Sequence, residues 1–254
     1  MRKLNMGPGK RVGYADGITI LNAVAGYLAI TFIIDGRFLE TALLIMAALC
    51  LDGLDGFVAR RYGSTGGGHY LDSFADTISF CIAPALMLYK IYYDPMRGTA
   101  WVVPENTLAV AASTLVAAFG ILRLARFVEA DHEKGEFRGL PTPANAVLLT
   151  SMAYLFGPTQ AVPVLLFSVL TSFLMISNVP YPKISDATRG PLILVIAFIG
   201  TASLAFLFLA ASPTGIVKIL FSIALAVTLG YLIGGPLYAG KPRPRGKVLR
   251  VQRE

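Results

Sequence analysis

Charged residues are scarce in this chain of 254 amino acids, where Asp, Glu, Lys and Arg together make up 15%. A soluble globular domain has about 25% of these residues, so the composition argues against a water-soluble enzyme. The chain is also 55% hydrophobic, which excludes an intrinsically disordered protein because disordered chains are poor in apolar residues. The composition therefore favours a protein embedded in a membrane.

Cysteine and histidine are rare as well, with two residues of each type. Cys50 and Cys81 lie far apart within apolar runs, and neither has a neighbour at the spacing of a zinc ligand. Free cysteine is a common small apolar side chain in such runs. Neither a disulfide framework nor a zinc site is indicated.

Long stretches without charge predict membrane-spanning helices. Arg138 and Lys183 bracket 44 uncharged residues, whereas one bilayer crossing needs about 20. Gly157-Pro158 is expected to divide this run, because proline lacks the backbone donor and glycine favours a turn. Ser212-Pro213 is expected to divide the last apolar part of the chain in the same way. Eight transmembrane helices are predicted, at 17–34, 38–61, 70–93, 106–126, 140–156, 159–176, 191–211 and 215–238.

The distribution of Lys and Arg predicts the orientation of these helices. With a cytoplasmic N-terminus, 18 of the 22 basic residues lie on cytoplasmic segments, as the positive-inside rule requires. We expect an all-α polytopic protein of the cytoplasmic membrane, with both termini in the cytoplasm. A single transmembrane domain is expected at 1–240, with a catalytic core at 15–185 and the last two helices at 191–238. The basic tail at 241–254 is expected to be cytoplasmic, and it could also adhere to anionic lipids.

Four aspartates lie near the predicted cytoplasmic ends of the second and third helices, where isolated carboxylates are costly. They are Asp52, Asp55, Asp72 and Asp76. Asp52 and Asp55 share one face of their helix, and Asp72 and Asp76 are neighbours at i, i+4 on theirs. Converging carboxylates repel one another in a low dielectric unless some are protonated or a cation lies between them. Mg²⁺ or Mn²⁺ is the expected occupant, because hard divalent ions bind oxygen ligands.

Three further residues share the face of Asp52, namely Gly56, Ala59 and Arg60. The two small residues leave a notch where a ligand could approach the helix closely, and the arginine is suited to phosphate. Together with a divalent metal, this pattern indicates a pyrophosphate site. The alternative is an ion-coupled transporter that uses the aspartates as a path, although the sequence holds no second set of intramembrane charges.

The same residues resemble the signature of the CDP-alcohol phosphotransferases, D-x-x-D-G-x-x-A-R followed by G-x-x-x-D-x-x-x-D. The first part matches 52–60 and the second matches 68–76. The spacer between them has seven residues, one fewer than the family pattern, a difference that a glycine-rich turn can absorb. Four shorter motifs resemble the membrane-embedded phosphatidylserine synthases of bacteria and archaea: SFCIAPA at 79–85, LRLARF at 122–127, GLPTPA at 139–144 and PYPK at 180–183.

This resemblance implies transfer of a phosphatidyl group, or its archaeal ether-lipid counterpart, from a CDP-lipid to the hydroxyl of L-serine, with release of CMP. It implies that the four aspartates hold two Mg²⁺ or Mn²⁺ ions and that Asp76 also takes the proton of the attacking hydroxyl. A homodimer is implied, and no nucleic-acid partner is expected. The residues implied for CDP-lipid binding are Asn22, Asp52, Gly56, Ala59, Arg60, Gly68 and Asp72. Asn22 could equally be an interhelical hydrogen-bonding group.

The acceptor site needs a cation for the carboxylate of serine, which is a zwitterion. The basic candidates near the cytoplasmic face are Arg123, Arg126 and Lys183, and Thr142 and Asn145 could hydrogen-bond the ligand. Basic residues in such positions could instead anchor the protein at the membrane interface. They would also bind a phosphate group, which leaves glycerol 3-phosphate and inositol phosphate open as acceptors. In each case the active site is expected to face the cytoplasm.

Overall fold

The computed structural model describes residues 13–62, 67–97, 104–130, 137–181 and 214–239, and these are almost entirely helical. The helices are α1 (Tyr14–Ile34), α2 (Phe38–Tyr62), α3 (Gly68–Asp76), α4 (Ala83–Tyr92), α5 (Pro104–Ala130), α6 (Thr142–Phe156), α7 (Ala161–Ile176) and α8 (Thr214–Ala239). Two short strands, β1 (Phe137–Arg138) and β2 (Pro180–Tyr181), pair antiparallel. Within these residues, six helical stretches are long and apolar enough to cross a membrane. The predicted all-α, multi-pass architecture is therefore confirmed.

Some predicted features lie outside the described residues. These are the helix at 191–211, Lys183, the basic tail at 241–254 and the N-terminal basic residues. The count of eight helices, the cytoplasmic termini and the domain limits therefore stay predictions.

The third span changes its winding in the middle. A π-helical turn, Thr77–Ile82, connects α3 to α4 without a break. Pro84 at the start of α4 accounts for this change, because its nitrogen carries no proton and its ring crowds the carbonyl four residues earlier. π turns are rare and often occur at functional sites. Here the turn begins directly after Asp76, and it sets the rotation of α3 relative to α4.

The predicted break at Gly157-Pro158 is confirmed. α6 ends at Phe156, and Gly157 has a φ of 54°, a conformation that glycine adopts without steric cost. A straight helix over the 35-residue apolar stretch would be about 52 Å long. Instead the amide of Leu140 donates to the carbonyl of Leu174 at 3.0 Å. The two ends of the stretch meet, so α6 and α7 form a hairpin of two crossings.

Small residues are frequent in the centre of the bundle, and many large apolar side chains lie on its outside. The fully buried alanines include Ala29, Ala42, Ala48, Ala83, Ala109 and Ala112. Exposed large side chains include Leu28, Leu54, Phe57, Leu166, Phe173 and Ile219. Small residues at the contacts let membrane helices approach closely, because lipid supplies no hydrophobic force between them. The packing is thus that of a membrane bundle with a lipid-facing apolar surface.

Several polar contacts between chain segments lie at one end of the bundle. The hydroxyl of Thr19 on α1 donates to Asp55 near the end of α2 at 2.7 Å. The hydroxyl of Tyr181 donates to the carbonyl of Leu232 near the end of α8 at 3.4 Å. We call this the site end: α1, α3 and α6 begin there, and α2, α5, α7 and α8 end there.

The contact between α1 and the π turn gives a stability prediction. A Cβ atom added to Gly26 would lie 2.9 Å from the Cα of Ser79, closer than real side chains approach. Gly26→Ala should therefore push α1 away from the third span and lower the free energy of unfolding by about 1–3 kcal/mol, as overpacking does. The melting temperature of the detergent-purified protein measures this loss.

Gly17→Ala on the same helix is the matched control, because a Cβ there meets no atom within 4 Å. This variant should melt at the wild-type temperature or slightly above, since alanine favours helix over glycine. Equal melting temperatures for the two variants would contradict the close contact at Gly26.

Candidate active site

Three aspartates converge at the site end. Each of Asp52 on α2 and Asp72 and Asp76 on α3 has a carboxylate oxygen within 4.8 Å of the other two. Asp76 is buried, and the other two are half-buried. The sequence-based expectation that these carboxylates meet is therefore confirmed for these three residues.

This group fits a hard divalent cation. Its donors are all carboxylate oxygens, the ligands that such ions prefer. Oδ1 of Asp72 is buried and has no hydrogen-bond partner among the described residues. A buried acceptor without a partner is costly, and a bound cation would satisfy it. We call Asp52, Asp72 and Asp76 the carboxylate group.

Asp55 lies outside the carboxylate group. It is buried, and its Oδ2 accepts a hydrogen bond of 2.7 Å from the hydroxyl of Thr19. The contact ties α1 to the end of α2 and fixes one oxygen of Asp55. The role of Asp55 as a metal ligand stays a prediction.

Asn22 connects α1 to the third span. Its Nδ2 donates to Oδ1 of Asp76 at 3.2 Å, and its backbone carbonyl accepts a bond of 3.0 Å from the hydroxyl of Ser79. These contacts match the interhelical alternative from the sequence. Oδ1 of Asn22 is buried without a hydrogen-bond partner in the described part of the chain, so the side chain also has an acceptor for a ligand.

Three of the residues implied for CDP-lipid binding follow Asp52 on α2. Gly56 and Ala59 are half-buried, and Arg60 is exposed. A Cβ at Gly56 would lie 3.3 Å from Nη1 of Arg60, so the guanidinium lies over the glycine. Gly68 is half-buried at the first position of α3. The notch and the cation are therefore adjacent, as a pyrophosphate site would require.

Arg123 on α5 is a buried cation at the site end. Its side chain is 8% exposed, and its Nη1 donates to Oγ1 of Thr142 at 3.0 Å. Nε of Arg123 is buried without a hydrogen-bond partner among the described residues. A buried cation with a spare N–H is suited to an anionic ligand.

Asn145 lies one turn after Thr142 and is also buried. The two side chains share a helix face, because residues three apart are neighbours. Oδ1 of Asn145 is buried without a hydrogen-bond partner in the described ranges. The structure thus brings Arg123, Thr142 and Asn145 together at the start of α6.

Arg126 is placed differently from Arg123. It is exposed, and its Nη1 donates to the carbonyl of Ile176 at the end of α7 at 3.0 Å. This contact closes a helix end, a role that basic side chains commonly have. Arg126 thus has a structural partner, and its part in acceptor binding stays a prediction.

Two polar residues at the site end, Thr19 and Tyr231, were not predicted from the sequence. Thr19 lies one helical turn before Asn22, so the polar face of α1 was a usable signal. Tyr231 lies in an apolar helix with no charge between Lys218 and Lys241. Nothing in the sequence around Tyr231 indicates that this residue lies at the site end.

The chain is similar in sequence to known proteins over much of its length. A family model described as CDP-alcohol phosphatidyltransferase matches residues 13–182. An archaetidylserine synthase of Methanothermobacter thermautotrophicus is 34% identical over 176 residues, which are 68% of this chain and 71% of that protein. A CDP-diacylglycerol–serine O-phosphatidyltransferase of Methanocaldococcus jannaschii is 36% identical over 175 residues, 68% of this chain and 76% of that protein. A protein of the same name from Bacillus subtilis is 28% identical over 171 residues, 65% of this chain and 87% of that protein.

The carboxylate group gives a prediction about metal binding. Asp52→Asn should raise the Kd for Mn²⁺ by at least about tenfold, because it removes a charged oxygen ligand. Titration of the purified protein, followed by the electron paramagnetic resonance signal of free Mn²⁺, measures this Kd. Asp35→Asn is the control, because Asp35 is exposed and follows α1 at the opposite end of the bundle. Equal Mn²⁺ binding by the two variants would contradict a metal site at the carboxylate group.

Proposed function

Because the chain belongs to the CDP-alcohol phosphatidyltransferase family, we propose that it transfers a phosphatidyl group, or its ether-lipid counterpart, from a CDP-lipid to L-serine. The serine oxygen attacks the phosphorus that carries the lipid, and the bond from that phosphorus to the bridging oxygen breaks. CMP leaves with the bridging oxygen, and the hydroxyl proton goes to the base. The names of the relatives from Methanothermobacter, Methanocaldococcus and Bacillus support serine as the acceptor.

The observation that carries this proposal is the convergence of Asp52, Asp72 and Asp76 at the site end. At the same end the buried Arg123 donates to Thr142 at the start of α6. An acceptor whose carboxylate binds Arg123 would therefore lie at the same end of the bundle as the groups suited to the donor. Such proximity of two substrates supplies much of the rate enhancement in a transfer reaction.

The family is generally dependent on a divalent metal, and the carboxylate group fits one. We further propose that two Mg²⁺ or Mn²⁺ ions bind there and that Asp55 is an additional ligand. Asp52, Asp72 and Asp76 would hold a metal ion there, which would neutralise charge on the pyrophosphate and make the phosphorus more electrophilic. Gly56, Ala59, Arg60 and Gly68 would then hold the cytidine and phosphate groups of the donor, with Asn22 at the edge of that site.

Asp76 is the proposed general base. A base must lie within hydrogen-bond reach of the proton that it removes. Asn22 donates to Oδ1 of Asp76, which fixes the orientation of the carboxylate. With Oδ1 held by Asn22, Oδ2 of the same carboxylate is available to take the hydroxyl proton of serine.

The acceptor pocket fits an amino acid better than a phosphate ester. Serine carries a carboxylate and an ammonium group, so it needs both donors and acceptors. Nε of Arg123 is a buried donor and Oδ1 of Asn145 a buried acceptor, and neither has a partner among the described residues. Glycerol 3-phosphate and inositol phosphate have no ammonium group that would use the amide oxygen of Asn145. This complementarity supports serine.

The proposed setting is the cytoplasmic membrane, with the site end facing the cytoplasm and two copies of the chain forming a homodimer. The distribution of Lys and Arg supports this orientation. The multi-pass helical bundle is consistent with a substrate that stays in the bilayer. Serine would then enter from the aqueous side, and the CDP-lipid from the membrane.

A CMP-release assay on the purified protein tests the function. CMP should form from a CDP-lipid only when serine and Mg²⁺ or Mn²⁺ are both present. Serine would supply the attacking hydroxyl, and the metal ion would make the phosphorus more electrophilic. Glycerol 3-phosphate and inositol phosphate are offered in parallel. Turnover with either of these and none with serine would reject the proposed acceptor. No CMP with any acceptor would reject the transfer reaction.

The role of Asp76 as a base can be separated from its role as a ligand. Asp76→Asn should lower kcat by at least about 100-fold, because a general base contributes that much to proton transfer. The folded protein should remain intact, since the amide oxygen of the new side chain can still accept from Asn22. Asp72→Asn is the matched variant, because it removes a carboxylate of the same group.

Saturating Mn²⁺ distinguishes the two variants. High Mn²⁺ should restore activity to Asp72→Asn in part, because weaker metal binding is overcome by mass action. It should not restore Asp76→Asn, which still lacks the base. Equal recovery of both variants would contradict the proposed base.

A further inference from the structure

Arg123 on α5 and Thr142 on α6 form a buried contact between two helices of the site end. Nη1 of Arg123 donates to Oγ1 of Thr142 at 3.0 Å. Arg123 is 8% exposed and Thr142 is 1% exposed, so the bond is largely shielded from water. From the sequence we expect Thr142 to hydrogen-bond the ligand, and in the structure the oxygen of its hydroxyl accepts from the guanidinium.

The backbone that carries Thr142 is held by the residues just before it. The amide of Gly139 donates to the carbonyl of Val179 at 2.8 Å, and the amide of Leu140 donates to the carbonyl of Leu174 at 3.0 Å. Gly139 has a φ of 83°, and an added Cβ there would meet a backbone carbonyl of α7. Thr142 follows as the first residue of α6. Its hydroxyl is therefore a fixed point against which a long side chain from another helix can be aligned.

The hydrogen bond to Thr142 leaves one edge of the planar guanidinium for a ligand. The N–H groups of Nε and Nη2 point along this edge, and Nη1 lies away from it. Nε of Arg123 is buried without a hydrogen-bond partner among the described residues, which is costly for a charged donor. A carboxylate can accept two parallel N–H bonds from such an edge, so it would satisfy Nε.

We propose that Thr142 is a positioning residue of the acceptor site, which holds Nη1 of Arg123 and so turns the edge of Nε and Nη2 towards the carboxylate of the acceptor. Without this bond the guanidinium could rotate about the bonds of its long side chain, whereas bidentate binding depends on a defined plane. The role of Thr142 rests on the proposed function, since it needs an anionic group on the acceptor.

Thr142→Val in the full-length protein tests this role, with steady-state kinetics for both substrates. Valine keeps the branched shape of threonine but offers no acceptor to Nη1. The KM for serine should rise about tenfold, the expected effect of losing a hydrogen bond to a charged group. The kcat and the KM for the CDP-lipid should stay at wild-type values, because the change removes a bond of the acceptor site alone. Thr142→Ser, which keeps the hydroxyl, should have the wild-type KM for serine.

The same change at Thr150 is the matched control. Thr150 also lies on α6 and is 1% exposed, and its Oγ1 is buried without a hydrogen-bond partner in the described part of the chain. Thr150→Val therefore removes a buried hydroxyl that holds no other group, and it should keep the wild-type KM for serine. An equal rise in both valine variants would overturn the proposal, because it would reflect the packing of α6 and not the orientation of Arg123.

Two competing ligands separate the carboxylate from the rest of serine. β-Hydroxypropionate carries the carboxylate and the hydroxyl without the ammonium group, and ethanolamine carries the ammonium group and the hydroxyl without the carboxylate. Thr142→Val should raise the inhibition constant of β-hydroxypropionate about tenfold and leave that of ethanolamine unchanged, because Arg123 would contact only the carboxylate. Equal rises for the two ligands would contradict the positioning role.

A double-mutant cycle distinguishes action through Arg123 from direct contact of Thr142 with the substrate. Lysine is a point charge without a plane to orient, so in an Arg123→Lys background Thr142→Val should cause no further rise in the KM for serine. Additive effects of the two changes would overturn the proposal. A wild-type KM for serine in Thr142→Val, or a parallel rise in the KM for the CDP-lipid, would also overturn it.

Failure of the proposed function gives a different result. If wild-type protein uses glycerol 3-phosphate but not serine, the acceptor assignment is wrong. The role of Thr142 is then decided by the KM for glycerol 3-phosphate, which should rise in Thr142→Val and stay at the wild-type value in Thr142→Ser and Thr150→Val. An unchanged value in Thr142→Val would reject the positioning role independently.

Discussion

The cost of holding several carboxylates together inside a membrane bundle constrains the whole site end. Asp52, Asp72 and Asp76 approach within 4.8 Å in surroundings of low dielectric, where like charges repel strongly and water cannot screen them. Two side chains on neighbouring helices reduce that cost. Asn22 donates to Asp76, and the buried Arg123 adds a positive charge at the same end of the bundle. The site therefore depends on the helices that supply these two side chains.

The packing of the bundle follows from the same need to compensate the charge of the carboxylates. A hydrogen bond of 3.2 Å between Asn22 and Asp76 needs α1 and the third span to lie very close. Gly26 permits that approach, and the hydroxyl of Ser79 closes it with a bond to the carbonyl of Asn22. The π turn after Asp76 makes both contacts compatible, because it rotates Ser79 relative to the carboxylates of α3. The π turn, the close contact of α1 with the third span and the hydrogen bond to Asp76 thus depend on one another.

Features with a strong local signal could be predicted from the sequence. The break at Gly157-Pro158 follows from backbone chemistry, and the meeting of Asp52 with Asp72 and Asp76 follows from helical spacing at the shared ends of two successive helices. Features that depend on how one helix is rotated relative to its neighbour could not be predicted from the sequence. The contact of Thr19 with Asp55 and that of Arg126 with Ile176 depend on which faces pack together. The π turn and the contact of Tyr231 with Tyr181 likewise depend on how the helices pack.

Charge balance favours a zwitterionic acceptor. The donor brings two negative phosphates to a site where Asp52, Asp72 and Asp76 converge and Asp55 lies one helical turn after Asp52. Two divalent cations with Arg60 and Arg123 would offset this charge, which a low-dielectric site requires. Serine adds no net charge to that sum, whereas a phosphate ester would need a further buried cation. Arg126 is exposed and donates to the carbonyl of Ile176, so it is poorly placed to supply one. A zwitterionic acceptor would therefore leave the charge of the proposed metal-bound site unchanged.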